Sequence, residues 1–221
     1  MIFYTAAMPN KVCQKIIDQV YPQTRYMLSP VTLRSFGKSR EPLLYQRGYA
    51  IDNGAYSYFL KGKDFDGGAF MSMCDKHADC ADFIVIPDCV GDWEKTLSMA
   101  MRWVNMLITY ERPLMMVAQD GCEVDDFGSL RSWVSNGIIS GGIFVGGTTE
   151  WKLKNMYKLS QICKEAGKKC HVGRVNSRKR LLQCYNTDVD SIDGSGASRF
   201  KGTTLIMAHT LSQLDRQQKL F

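Results

Sequence analysis

Long apolar runs are missing from this sequence. No stretch approaches the roughly 18–20 residues that a membrane-crossing helix needs, which excludes a helical membrane span. Paired cysteines are missing too. The eight cysteines (Cys13, Cys74, Cys80, Cys89, Cys122, Cys163, Cys170 and Cys184) stand singly, with no Cys-x-x-Cys among them. Reduced thiols in a cytoplasm are therefore expected, rather than a disulfide framework. Histidine is scarce, at three in 221 residues. Two loose sets, Cys74-His77-Cys80 and Cys163-Cys170-His171-Cys184, match no standard zinc spacing, so no metal site is expected. No low-complexity or linker tract divides the chain, and one domain over 1–221 is expected. The opening Met1-Ile-Phe-Tyr-Thr-Ala-Ala lacks a basic n-region and reads as a first strand rather than a secretory leader.

What is present is ordinary for a packed globular chain: 45% hydrophobic and 23% charged residues. Disorder, collagen and coiled coil are excluded on that ground. Lys plus Arg number 28 against 22 for Asp plus Glu, a net charge of +6. That balance allows a polyanionic partner without demanding one.

Short apolar runs alternate with longer amphipathic ones. Strands are expected at Ile2–Ala7, Tyr26–Pro30, Tyr49–Asp52, Phe83–Pro87, Leu114–Ala118, Gly142–Val145, Lys169–Val172 and Val189–Ile192. They are short, apolar and ended by Gly, Pro or Asp, as strands buried on both faces are. Between them, Asn10 is placed to cap a helix burying Val12, Ile16 and Val20. Trp93–Tyr110 puts Leu97, Met101, Val104 and Ile108 on one stripe. Thr149–Ala166 does the same with Leu153, Met156, Leu159 and Ile162, and Gly167 is a stop signal. Ser177 can cap Arg178–Tyr185, and Thr204–Leu220 can close the chain. Ala69–Cys80 is weakly patterned, and Thr32–Arg47 is poorly defined. The alternation points to a compact (β/α)8 barrel of the TIM type, with a doubly wound open sheet as the alternative.

The polar residues sit at strand ends: Asp52-Asn-Gly-Ala-Tyr56, Pro87-Asp88, Gln119-Asp120-Gly121, Gly141-Gly142 and Gly146-Gly147, His171-Val-Gly-Arg174, and Asp193-Gly-Ser-Gly-Ala-Ser-Arg199. In a parallel barrel the C-terminal strand ends open on one face, so Asp52, Asp88, Gln119 and Asp193 are expected to converge. Three acids held together repel, and at least one then keeps its proton, which suits general acid–base work. Three Asp can also hold Mg²⁺. The amide and the glycines better suit a planar, hydrogen-bonding ligand, with an Asp accepting from a guanine-like edge, Gln119 donating to a carbonyl and Tyr56 covering the ring.

With these blocks in order, the chain resembles the tRNA-guanine transglycosylase superfamily, and within it the short viral or bacterial members that insert 7-deazaguanines into DNA. The resemblance runs from the third strand to Arg199. The family's Asp-Ser-Gly-Gly-Phe/Tyr block is similar to Asp52–Tyr56, its base-reading Asp to Asp88, and its Val-Gln-Gly to Val117-Ala-Gln119. Arg102-Trp103 fits the helix that follows the base-reading Asp, and the glycine-framed strand resembles Gly141–Gly146. The nucleophile segment looks like Asp193 followed by Ser198-Arg199. No cysteine follows Asp193 and the only later histidine is His209, so the zinc-binding subdomain of the tRNA-acting members has no counterpart in this sequence.

The resemblance implies replacement of guanine in DNA by a free 7-deazaguanine, such as 7-cyano-7-deazaguanine. Asp193 would be the nucleophile and Asp52 the general acid–base. Asp88, Gln119, Gly141 and Gly142 would read the base under Tyr56. Neither a redox cofactor nor ATP would be needed. Arg174, Arg178, Lys179, Arg180 and Arg199 are expected to grip phosphates, around a base that is flipped out or single-stranded. The alternatives are exchange in RNA or tRNA, a DNA N-glycosylase in which water resolves the intermediate, and a barrel that binds nucleic acid without turnover.

Overall fold

The computed structural model describes residues 1–7, 10–33, 41–122 and 124–218. The strands are β1 (Ile2–Ala6), β2 (Arg25–Leu28), β3 (Tyr49–Ile51), β4 (Ala81–Val85), β5 (Leu114–Ala118), β6 (Gly142–Val145), β7 (Lys169–Val172) and β8 (Ser191–Asp193). Each pairs in parallel with the next, and β8 returns to β1, where Tyr4 pairs with Asp193. The chain is a closed (β/α)8 barrel, as the alternation predicts, and not an open sheet.

The helices are α1 (Lys11–Val20), α2 (Pro30–Leu33), α3 (Glu41–Arg47), α4 (Ala55–Phe59), α5 (Gly67–His77), α6 (Trp93–Leu107), α7 (Val124–Ser135), α8 (Thr149–Glu165), α9 (Arg178–Asn186), α10 (Gly196–Arg199) and α11 (Lys201–Gln218). The expected capping signals operate. Asn10 Oδ1 accepts from the Cys13 amide at 2.9 Å, and Ser177 caps α9 through the Arg180 amide. Gly167, at φ +64°, follows α8. The closing helix starts three residues earlier than expected, and its expected last residue, Leu220, lies outside the described residues. Much of the poorly defined Thr32–Arg47 segment also lies outside them. α7 has no counterpart among the expected helices.

Two cores result. Tyr4, Met27, Ala50, Phe83, Val85, Met115 and Val117, with Phe144, fill the inside of the ring. A larger set packs the outer strand faces against the helices. Successive strand residues point to opposite faces, so the identities of the inner residues fix which later ones also point inward.

Three expected stripes are corrected. On α6 the buried residues are Trp93, Thr96, Ala100, Val104 and Leu107, whereas Met101 and Ile108 are 62% and 56% exposed. The helix is apolar on more than one side, and the side carrying Trp93, Ala100, Val104 and Leu107 is the one turned in. Thr96 is selected further by its hydroxyl, which accepts from the Cys89 amide at 3.0 Å. On α1, Cys13, Ile16 and Ile17 go inward and Val12 is exposed. On α8, Leu153 is exposed while Lys152 is buried. No helix among the described residues is long and apolar enough to cross a membrane.

Candidate active site

The parity of the strands builds the site. Ala50, Val117 and Ser191 face inward or lie on the inward-facing register, and two residues further on come Asp52, Gln119 and Asp193. Phe144 and His171 are likewise followed by Gly146 and Gly173. Asp52, Asp88, Gln119, Asp193, Tyr56, Arg174 and Arg199 all line one cavity of about 190 Å³ at the C-terminal end of the barrel. That is below the roughly 300–1,000 Å³ of pockets for drug-sized ligands. The space suits one flat heterocycle rather than a whole nucleotide.

The floor is a tight polar network. Asn53, 1% exposed, donates from Nδ2 to Asp88 Oδ1 at 2.7 Å and to the Ile86 carbonyl at 2.9 Å. Gln119 Nε2 donates to Asp88 Oδ2 at 2.5 Å, and its Oε1 accepts from the Gly147 amide at 2.8 Å. Asp88 is therefore gripped from both sides. Burial pushes its carboxyl pKa up, and the amide donors on Asn53 and Gln119 oppose that rise. Gln119 retains one N–H for a ligand.

Asp52 lies beside this network. Burial, and then the charges of Asp193 and Asp88, push its pKa up to about 8, against the pull of the Gly54 and Asn53 amides. It carries a proton at neutral pH. Gly54 adopts φ +81° at the start of α4, a left-handed turn that glycine makes without strain and that aims Tyr56 toward the mouth.

Asp193 is held from below and behind. His171, fully buried inside the ring, places Nε2 at 3.1 Å from Asp193 Oδ1, and its Nδ1 is 2.8 Å from Ser191 Oγ. The ring stacks on Phe144, with centroids 4.6 Å apart. The Arg174 amide donates to the same Oδ1 at 3.2 Å, from a residue at φ +60°. A non-glycine residue in that region is strained. The strain is held by Lys152 Nζ, which donates to the Gly173 carbonyl at 2.6 Å, and by the Val175 amide on the Asp193 carbonyl. Burial, and then the Arg174 charge, lower the Lys152 pKa to about 8. A Cβ on Gly173 would meet the Phe144 ring at 2.6 Å, so only glycine fits there.

The structure brings together Asp52, Asp88, Gln119 and Asp193, with Tyr56, Arg174 and Arg199 at the rim. It does not bring Gly141 and Gly142. They precede β6 or open it, at the opposite end of the barrel, where a Cβ on Gly142 would lie 2.0 Å from the Lys169 carbonyl oxygen. They permit close strand packing, and the glycine that lines the cavity is Gly146. The strand direction already pointed to Gly146-Gly147, because only the C-terminal end of β6 faces the site. Tyr56 is also placed differently from a simple cover. The Arg174 guanidinium already lies over its ring, 4.2 Å from the centroid, and donates to the Gly147 carbonyl. Arg178 and Lys179 are exposed in the first turn of α9, Arg180 is half-buried, and none of the three lines the cavity.

Sequence reasoning missed Asn53 as a scaffold, His171 as the support of Asp193, and Lys152 as a buried cation. Parity was a usable signal for His171. Nothing local marked Lys152. Asp120 braces the rim by accepting from the Thr148 amide and hydroxyl at 2.7 and 2.6 Å. No group of three or more His, Cys, Asp or Glu among the described residues is arranged to hold a metal ion.

A larger hollow, about 610 Å³, opens at the N-terminal end of the barrel. Its charges are spent on one another: Arg25 on Asp82, Lys169 on Asp190, and Asp188 on Lys164 outside the hollow. Tyr4 donates to Asp82 as well. Each of its three aspartates is thus held by a cation, unlike the acids of the smaller cavity.

Fold and cavity place the chain in the class of parallel (β/α)8 barrels with an acidic pocket at the C-terminal end. No family model and no curated protein matches the chain. Among solved structures, a chain of the tryptophan synthase complex from the hyperthermophile Pyrococcus furiosus is similar, with a TM-score of 0.56 and 13% identity, covering 98% of this chain and 97% of that one. The native KDPGal structure has a TM-score of 0.55 and 9% identity, covering 100% and 96%. Likeness at such identity establishes the barrel and leaves the chemistry to the site.

Proposed function

We propose that the chain is a base-exchange transglycosylase that replaces guanine in DNA with a 7-deazaguanine. The observation that carries this reading is the convergence of Asp52, Asp88, Gln119 and Asp193 on one small cavity, with the Asp52 pKa raised to about 8.

In the first displacement an Asp193 carboxylate oxygen attacks C1′ of the target nucleotide. The C1′–N9 bond breaks, and the departing guanine takes a proton from Asp52. A glycosyl ester to Asp193 remains. In the second, the incoming 7-deazaguanine gives its ring N–H proton to Asp52 and attacks C1′, and Asp193 leaves as carboxylate. Configuration is retained and Asp52 ends as it began. His171 and the Arg174 amide hold Oδ1, which orients the other oxygen for attack. Asp88, kept in place by Asn53 and Gln119, accepts from the base edge. One glycosidic bond replaces another, so the chemistry needs no redox cofactor or nucleotide triphosphate.

The test is labelled guanine or 7-cyano-7-deazaguanine incubated with protein and DNA, followed by nucleoside mass spectrometry. Incorporation is expected. Asp193→Asn keeps an acceptor for both Oδ1 donors, so the fold stays and exchange is lost. Full activity in that variant refutes the nucleophile. Free guanine with abasic sites means hydrolysis instead, and binding without either product means a non-catalytic barrel.

A further inference from the structure

Beside the cavity mouth lies a surface that the exchange chemistry does not use. Phe59 and Leu60, at the end of α4, are 58% and 65% exposed. Phe59 stacks on Tyr56, with centroids 6.5 Å apart and planes 25° from parallel. Neighbouring Tyr58 instead turns inward against Phe65. Leu60 and Tyr56 line the cavity, so the apolar ledge is continuous with it. A tight turn then fixes the backbone beyond Leu60. The Gly62 amide donates to the Phe59 carbonyl at 3.0 Å, and the Lys63 amide to the Tyr58 carbonyl at 3.1 Å. This places Lys61 and Lys63, both exposed, on the turn directly after the two apolar residues, and neither lysine has an ion pair among the described residues. Exposed Asp64 is the next residue along the chain.

An exposed ring and an aliphatic shelf flanked by unpaired ammonium groups match a strand with flat bases and a charged backbone. A duplex would bury its bases away from this ledge. We propose that Phe59 and Leu60 stack the unpaired base next to the target nucleotide, while Lys61 and Lys63 hold the adjoining phosphates of a DNA strand. The target base can then enter the cavity while its neighbour stays on the ledge, which partly offsets the cost of unstacking. This inference rests on the base-exchange reading.

The probe is a single-stranded DNA oligonucleotide with one guanine and a 2-aminopurine beside it. Affinity is followed by anisotropy across salt, and stacking by 2-aminopurine fluorescence. Wild-type protein is expected to bind and change that fluorescence. Phe59→Ala with Leu60→Ser is expected to weaken binding about 5- to 150-fold and abolish the fluorescence change, with an unaltered salt slope. Lys61→Ala with Lys63→Ala is expected to flatten the log–log salt slope by about 1.4 and keep the fluorescence change. All four side chains are exposed, so thermal melts should match wild type. Failure of the wild type to bind, or variants indistinguishable from it, overturns the ledge. Base exchange on the same oligonucleotide separates the two ideas. Ledge-dependent binding without exchange sinks the exchange reading alone, and exchange with unaffected variants sinks the ledge alone.

Discussion

At the residue scale the decisive group is Asp52. Its pKa of about 8 means that the protonated form, which the leaving guanine needs, is lost as pH rises through about 8. We predict that kcat/KM for exchange falls above that pH. Asp52→Asn should remove the limb and lower the rate about 10²–10⁴-fold, as loss of general acid–base catalysis does. The same carboxyl affects stability. The folded chain keeps a proton that the unfolded chain releases near pH 4, so this group's contribution worsens from about pH 4 up to about 8 and then levels. Urea melts of wild type and Asp52→Asn should therefore diverge across that window, with the variant gaining. Asp52, Asp88, Gln119 and Asp193 were legible as polar residues ending apolar runs. Asn53 was visible without a role, because its worth lies in reaching Asp88 in the loop beyond the next strand.

At the element scale β6 carries glycines with opposite duties at its two ends. A Cβ on Gly146 would lie 2.8 Å from Val117 Cγ1 and 2.9 Å from Gln119 Nε2. Gly146→Ala should displace Gln119 and depress exchange at least tenfold, with some loss of stability as well, because the Val117 methyl in the inner core has to shift along with the amide. Gly142, at φ +119°, would instead push against the Lys169 backbone. Gly142→Ala should cost about 1–3 kcal/mol in denaturant melts, since both the strained backbone and the rigid neighbour resist. Equal effects on activity and stability at both positions would reject the division. The helices show a second limit of reading by element. Capping at Asn10 and Ser177 is local chemistry and followed from the residues. The phase of α6 did not, because a helix that is apolar on several sides has its inner face chosen by the tertiary surface it packs against.

At the scale of the whole molecule the excess of positive charge gathers meaning from where the strand ends open. Arg178 and Lys179 begin α9 directly after β7, on the same end of the barrel as the cavity but outside it. We predict that replacing Arg178, Lys179 and Arg180 with Ala weakens DNA binding and lowers the salt slope. The drop should be about 0.9 for each phosphate left without its cation on duplex, or about 0.7 on single strand. An unchanged slope would mean that the strand runs elsewhere on the rim, past Arg199 and Arg174.

The sequence alone determined the eight buried strands, their caps and turns, and the polar residues that end them. Those depend on period-two and period-3.6 patterns and on the preferences of a few neighbouring residues. Ring closure decided the rest: which glycine pair borders the cavity, which helix faces turn in, why Lys152 is buried and why Asp52 holds its proton. Each of these depends on groups distant in the chain meeting in a space from which water is largely excluded, and no local pattern records such a meeting.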